Sequence, residues 1–393
     1  MEIRKYVDIV KLLLVRTALK AFWIIPIKKN TLFFSAYEGK QYSCNPRAIF
    51  EAMVEAPEFV DTKWIWELND FTKEKLIAKK PVKIVRHNSF QYILAVLTSE
   101  VLITNSGISG TLPLRRCQLN INTWHGGGAY KRVGFGIKTE FKSDSFWLKQ
   151  TSKQTSIYLS SSKVFTNVMA ESVLLPANRF FPSGMPRNDV FFCSERMSDA
   201  RKKVQEAFCL ADEDFVVLYA PTYRGVVGTD QLTSIPFDID KFQKAIKCRF
   251  GRGAVVLVRM HYFNHSNLTF EKVVSASNYS DMQELLSAAD MLITDYSSSI
   301  WDFALTQKPC ILFTPDLKDY DIERGFYTDP VTWPGMLCET EEAMYAAISM
   351  YQEEQYSERV KEYLQKMGSY DDGKATERII EYIKKAKEEN GRE

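Results

Sequence analysis

Short apolar runs rich in β-forming residues alternate with helical runs along most of this chain, and that order leaves few folds open. "TLFFSAY" reads as a strand and "NPRAIFEAMVEA" as a helix opened by Asn45 with Pro46 at its first position, and "TKWIWEL" is the next strand. "KIVRH", "VLITNSG" and "QLNINTW" supply further strands, with the apolar "SFQYILAVLTS" helix between the first two. A second series starts near residue 214 with "DFVVLYAPT", "AVVLVRMHY", "KVVSAS", "MLITDYSSS" and "PCILFTPD", and "DMQELLSAAD" spaces its apolar residues as a helix does. Strands alternating with helices predict parallel sheets covered by helices. At 393 residues the chain is long for one core, so two α/β domains facing across a cleft are expected. In such sheets ligands bind beyond the carboxyl ends of the strands, where the polar residues of these runs fall. Residues 141–186 give a mixed helix and loop pattern. The tail from about 352 reads as charged helix, with Ile379, Ile380 and Ile383 on one packed face.

Charge excludes one large class of partner. With 51 basic and 49 acidic side chains the net charge is +2, too weak a global field to imply nucleic acid, so any electropositive site is local. The seven cysteines are scattered without a CxxC pair, and the four histidines form no HExxH. Zinc is not expected, and the thiols read as reduced. The acidic runs "DED" at 212–214 and "DID" at 238–240 read as solvated positions, so no metal site is expected there either.

The amino-terminal run "YVDIVKLLLVRTALKAFWIIPI" is apolar yet carries Lys11, Arg16 and Lys20. Each cation at mid-membrane costs about 2.5–3.5 kcal/mol, which argues against a spanning helix, and no signal-peptide cleavage pattern is present. On a helical wheel Arg4, Lys5, Asp8, Lys11, Arg16 and Lys20 share one half; Tyr6, Val7, Val10, Leu13, Leu14, Ala18 and Ala21 share the other. Such a helix lies on an anionic membrane surface with Trp23 and the following lysines at headgroup level, or packs on its own protein.

Four local patterns carry possible chemistry. "ITDYSSSIWDFAL" runs from a buried strand into Ser297, Ser298 and Ser299 and then an apolar helix, which offers either a phosphate site at a capped helix start or an ordinary capped junction. "YAPTYRG" sets Thr222 and Arg224 after a strand, and a guanidinium there can clamp a phosphate or lie on the surface. "VRMHY" puts Arg259 and His261 on one side of a strand end, suited to stabilising charge on a phosphate. In "NTWHGGGAYKRVG", Gly126, Gly127 and Gly128 follow His125; glycines allow a sharp turn and close backbone approach beside an imidazole with an ordinary pKa of about 6.5. That loop is either a base on a tight turn or a flexible connection. No P-loop or GxGxxG pattern follows a strand.

Together "KQYSCNPRAIFE", "NTWHGGGAYKRVG", "SGMPRNDVFF", "YAPTYRG", "VRMHY", "ITDYSSSIWDFA" and "ERGFY" occur in the order seen in CDP-glycerol glycerophosphotransferases, the teichoic acid primases and polymerases, and the chain resembles that family from about residue 30 to 335. The resemblance implies a GT-B-like fold of two Rossmann-like domains and transfer of glycerol phosphate from CDP-glycerol, or ribitol phosphate from CDP-ribitol, to a lipid-linked polyprenyl acceptor. It implies CMP release, no metal or other cofactor, and peripheral attachment to the cytoplasmic side of the cell membrane. By the same resemblance His125 and His261 are catalytic, His125 as the base; Gly126, Arg187, Thr222, Arg224, Arg259, Ser297, Ser298 and Ser299 bind the donor; and Gly127, Gly128 and Lys131 lie on the acceptor side. Many relatives read WHGTPLK where this chain has "WHGGGAYK", so a capsular or other surface-polymer acceptor fits as well as wall teichoic acid.

The expected division is a membrane-surface helix at 1–28, an acceptor-side domain at 29–185, a donor-binding domain at 186–370 and a carboxyl-terminal helix at 371–393. The competing readings are a nucleotide-sugar glycosyltransferase of the same architecture and a membrane-associated binding protein without activity.

Overall fold

The computed structural model describes residues 2–70, 81–137, 142–222, 235–260 and 273–390. They divide into two compact units: Met1–His125 with Val133–Asp189 and Tyr370–Glu393, and Gly126–Arg132 with Val190–Ser369. Each unit is built on one parallel sheet.

The first unit begins with helix α1 (Glu2–Leu19). Its sheet comprises β1 (Lys28–Ser35), β2 (Lys63–Glu67), β3 (Val82–Val85), β4 (Ser99–Thr104), β5 (Leu119–Asn122), β6 (Ile157–Leu159) and β7 (Phe180–Phe181) in the order β3-β2-β1-β4-β5-β6-β7. The order reverses between β1 and β4, which pair in parallel with Phe33 opposite Leu102. Strands buried on both faces explain why "LFF" and "VLIT" are unbroken apolar runs rather than alternating ones. On one face α2 (Cys44–Glu55) supplies Ile49, Phe50 and Met53; on the other α3 (Phe90–Thr98), capped by Ser89, supplies Tyr92 and Val96.

Two departures from the sequence reading matter. Helix α2 is entered through Ser43, with Cys44 at φ 65°, so Asn45 lies inside the first turn and its side chain is released for other work. The last helix, α13 (Ala375–Asn390), is no separate element: Ile379 and Ile383 are fully buried in the core beside α2. Buried Asp189 accepts the N–H groups of Ala375 and Thr376 at 3.0 and 2.8 Å, satisfying two of the donors a helix start leaves open.

The second unit's sheet comprises β8 (Phe215–Tyr219), β9 (Ala254–Val258), β10 (Val273–Ser275), β11 (Met291–Thr294), β12 (Cys310–Phe313) and β13 (Met336–Cys338) in the order β10-β9-β8-β11-β12-β13, again all parallel. Here the reversal lies between β8 and β11. Phe242 and Ile246 of α7 (Ile239–Phe250) and Met344 and Ile348 of α11 (Glu341–Met350) pack on one face. Strands β6, β7 and β13, of two or three residues, are too short for periodicity to mark and escape the sequence reading for that reason.

Helix α1 sits on the first unit by an unexpected face. Arg16, from the charged half of the wheel, donates to the carbonyls of Gly110 and Leu112. From the apolar half Val10 and Leu14 are 54% and 65% exposed. Trp23 donates its indole N–H to Pro113 O at 2.9 Å. Among the described residues no helix is long and apolar enough to cross a membrane.

Candidate active site

Each sheet reverses its strand order once, and most candidate residues lie beyond the carboxyl ends of strands at that reversal or next to it, as open parallel sheets favour.

In the first unit β4 ends into Asn105, fully buried, whose side-chain oxygen accepts the N–H of Tyr37 after β1 at 2.8 Å. His125 follows β5 and its Nδ1 lies 3.0 Å from Asn105 O. A backbone carbonyl only accepts, so Nδ1 carries the proton and the basic lone pair resides on Nε2. The ring rests against Trp124 at 4.2 Å and Tyr37 at 5.6 Å. Trp124 adopts φ 52°, a strained conformation for a bulky residue, and its backbone N–H donates to the Asn122 side-chain oxygen at 2.9 Å.

What holds this turn is Asn45. Its amide, fully buried, donates to Thr123 O and Trp124 O at 3.1 Å each and accepts Arg187 N–H at 3.1 Å. Sequence reasoning used Asn45 only as a helix opener. The signal available was a polar residue beside proline in a helix whose other inward positions are apolar.

Arg187, expected in the second domain among the donor ligands, lies in the first unit, with its guanidinium on Cys44 Sγ at 3.2 Å. The unit boundary falls after Asp189, not before Pro186.

In the second unit β8 leads to Thr222 and β11 to Asp295. Asp295, 2% exposed, accepts the N–H of Thr222 at 2.8 Å and of Tyr296 at 2.6 Å, and Thr294 Oγ1 donates to Ala220 O at 2.6 Å. The Thr222 hydroxyl is buried without a hydrogen-bond partner. The serine turn differs from the expected cap: Ser298 precedes α9 (Ser299–Ala304) but its side chain caps nothing, and Ser297 Oγ accepts Ser299 N–H at 3.3 Å and Ser299 Oγ–H at 2.9 Å. Arg259 spends part of its guanidinium on the chain, donating to Tyr279 O at 2.5 Å. Arg224 and His261 lie outside the described residues.

The glycine loop belongs to the second unit from Gly126 onward, although Gly127, Gly128 and Lys131 were expected with the first. The segment pairs antiparallel with the "RGFY" run: Arg132 N–H donates to Gly325 O at 3.0 Å, Tyr327 N–H to Tyr130 O at 2.8 Å, and Lys131 faces Phe326. Arg324 Nε donates to Arg132 O at 3.0 Å, and Arg132 Nε to Phe326 O at 3.1 Å. Tyr130, fully buried, packs on Trp333 at 4.6 Å. These contacts explain the glycines. A Cβ on Gly127 would stand 2.2 Å from a ring carbon of Trp301, and one on Gly128 would stand 2.0 Å from the ring of Tyr130.

Lys131 is half-buried, and burial pulls its pKa down from 10.5 to about 8, against a smaller upward pull from Asp295. Among the described residues no group of three or more His, Cys, Asp or Glu side chains stands close enough to hold a metal.

The same arrangement of sequence and fold recurs in characterised proteins. The chain is 29% identical over 373 residues to the teichoic acid poly(glycerol phosphate) polymerase of Bacillus spizizenii, covering 92% of this chain and 93% of that one. It is 24% identical over 369 residues to the teichoic acid ribitol-phosphate primase of the same organism, covering 92% of each. It spans only 50% and 51% of two longer polymerases. A structure of the wall teichoic acid polymerase TagF with CDPG superimposes with a TM-score of 0.81 at 25% identity, covering 98% of both chains. The family model for CDP-glycerol:poly(glycerophosphate) glycerophosphotransferases matches residues 17–385, and the chain belongs to that family of GT-B-like enzymes.

Proposed function

We propose that the enzyme moves glycerol phosphate from CDP-glycerol to a hydroxyl of a lipid-linked polyprenyl acceptor, releasing CMP, in the synthesis of teichoic acid or a related surface polymer. The observation that carries the reaction is the Nδ1 contact of His125 to Asn105 O, which fixes the tautomer and leaves Nε2 as the basic nitrogen, beyond the carboxyl end of a strand next to the sheet's reversal. In the reaction as we read it, Nε2 takes the acceptor hydroxyl proton while that oxygen bonds to the glycerol-bearing phosphorus. The bond from that phosphorus to the bridging oxygen breaks, and the electron pair leaves with CMP. Phosphoryl transfer needs chiefly alignment and charge stabilisation. In this reading the donor phosphates fall to the second unit, where Thr222, Ser297, Ser298, Ser299 and Arg259 follow strand ends and Gly126 heads the docked loop; the resemblance adds Arg224 and His261, which lie outside the described residues. No metal is required in this reading, and activity in EDTA is expected to equal that without it.

The outward apolar face of α1 supports attachment to the cytoplasmic side of the membrane. Val10, Leu14 and, beyond the helix, Ile24 at 89% exposure form an apolar stripe flanked by Lys11 and Lys20, which matches an anionic leaflet better than water.

The test is CMP release from CDP-glycerol and CDP-ribitol with membranes as acceptor source, followed by mass analysis of the lipid product. Glycerol phosphate on lipid, abolished in His125→Ala, is expected. Ribitol phosphate instead would move the reading to the ribitol branch, which the similarity to a ribitol-phosphate primase keeps open. Full activity in His125→Ala would remove the proposed base.

A further inference from the structure

Lys131 came from the sequence as an acceptor-side residue. Its surroundings belong to the donor unit instead. The segment that carries it is fixed to the second unit by the ladder to residues 325–327, by Arg324 on the Arg132 carbonyl, and by Tyr130 against Trp333. The ladder sets Lys131 opposite Phe326, whose ring packs on Tyr296 at 5.4 Å, and the charges acting on its ammonium are Asp295, next to Tyr296 in the turn after β11, and Arg324, at the end of α10 (Leu317–Glu323). Yet the ammonium makes no hydrogen bond, and no ion pair within 4.0 Å, with any described residue.

A half-buried cation without a hydrogen-bond acceptor is costly to a protein, because it has left water without a replacement. Asp295 does not serve as that replacement. It stands beyond ion-pair distance of the lysine, and its Oδ1 accepts the N–H groups of Thr222 and Tyr296. A second orphan stands on the same carboxylate's network: the Thr222 hydroxyl, buried and without a partner. Two donors lacking acceptors, tied to one carboxylate beyond the strands that flank the sheet's reversal, describe a site for an anion rather than for a hydroxylated acceptor. The serine hydroxyls, bonded to each other, are less available for it.

We infer that Lys131, with Thr222, binds the diphosphate of the CDP-linked donor, making it a donor-side residue of the reaction. This rests on the CDP-polyol reading above. Burial lowers the lysine's pKa to about 8 in the absence of ligand, and a bound diphosphate favours the charged form.

The experiment is isothermal titration of the full-length protein with CDP-glycerol, CDP and cytidine, for the wild type, Lys131→Met and Lys131→Arg. A charge-assisted contact of this kind predicts about a tenfold or greater loss of affinity for CDP-glycerol and CDP in Lys131→Met. Cytidine, which lacks phosphate, is expected to bind both proteins alike, and Lys131→Arg to recover part of the loss. Equal affinity of wild type and Lys131→Met for CDP overturns the inference while leaving the donor reading intact. Failure of the wild type to bind either CDP-glycerol or CDP-ribitol would instead sink the donor reading itself. A wild-type measurement covers a Lys131→Met protein that does not fold: an amine-reactive reagent labels Lys131, read by peptide mass mapping. Saturating CDP should protect it, and labelling at an unchanged rate overturns the inference.

Discussion

Replacing Asn45 with alanine tests whether one buried amide holds the turn that presents His125. The side chain is fully buried and makes four hydrogen bonds: two to the Thr123 and Trp124 carbonyls and one from the Arg187 N–H, all 3.1 Å, and a longer one to Met185 Sδ at 3.6 Å. Trp124 O keeps a second donor, the Thr123 hydroxyl at 3.2 Å, so its loss is partial. Thr123 O and Arg187 N–H lose an acceptor or donor inside the core, at about 1–3 kcal/mol each. Water entering the space left by the amide offsets part of this, which leaves roughly 3 kcal/mol. In a unit of about 200 residues that corresponds to a fall of about 10 °C in the melting temperature.

Calorimetry of wild type and Asn45→Ala reads the stability, and CMP release reads the site. The rate is expected to fall more than donor affinity, because Trp124, at φ 52°, is the first residue to relax once its carbonyl is released, and His125 follows it. Asn45→Asp sharpens the test. Its carboxylate still accepts from Arg187 but faces two carbonyl oxygens, so at neutral pH it should be worse than alanine. The protonated form is favoured in the folded state, so the deficit should shrink as pH falls toward the ordinary carboxyl range. If Asn45→Ala melts within a degree or two of the wild type and keeps its rate, the clamp is not what positions His125.

Other outcomes follow from the same contacts. Gly127→Ala drives a methyl into the buried Trp301 ring and should cost about 1–3 kcal/mol and most of the activity; recovery in Gly127→Ala, Trp301→Leu would confirm the contact. Ile383→Ala empties a fully buried position and should destabilise the first unit by about 2–4 kcal/mol, read by denaturant unfolding, although it lies ten residues from the chain end. Because Lys131 titrates at about 8 rather than 10.5, its ammonium opposes folding below pH 8, and the penalty fades as pH rises toward 10.5. At most roughly 3 kcal/mol is involved, so Lys131→Met should melt above the wild type at pH 7 by a margin that narrows at pH 10. Val10→Glu with Leu14→Glu should abolish flotation with phosphatidylglycerol vesicles without changing the melting temperature; unaltered flotation would refute the membrane face of α1.

The parallel sheets were legible because burial on both faces writes itself as unbroken apolar runs: β2, β8, β9, β11 and β12 fall within runs that sequence alone picks out, and β1 and β4 overlap theirs but start two or three residues earlier. The topology that matters to the site was legible only in part. Polar residues at strand ends mark where ligands bind, but nothing local says which strands flank the reversal of order. The pairing of β1 with β4, and of β8 with β11, is set by contacts between residues far apart in the chain.

The glycine loop shows why motif and role can separate. His125 and Lys131 are six residues apart in one conserved-looking string, which invites a single function, yet contact assigns them to different units. A sequence records the string; it does not record that Gly127 lies flat on Trp301 or that residues 130–132 pair with 325–327, because each of those facts needs a partner nearly 200 positions away. The two glycines that looked like markers of acceptor choice are therefore explained by packing: one by an indole face, the other by the ring of Tyr130 two residues on. Arg187, a donor ligand by the family resemblance, lies in the first unit, where its N–H donates to Asn45 and its guanidinium to Cys44. Where relatives with other residues at 127 and 128 retain activity, the position equivalent to Trp301 must make room, and exchanging both together is the substitution that tests whether loop and indole form one unit.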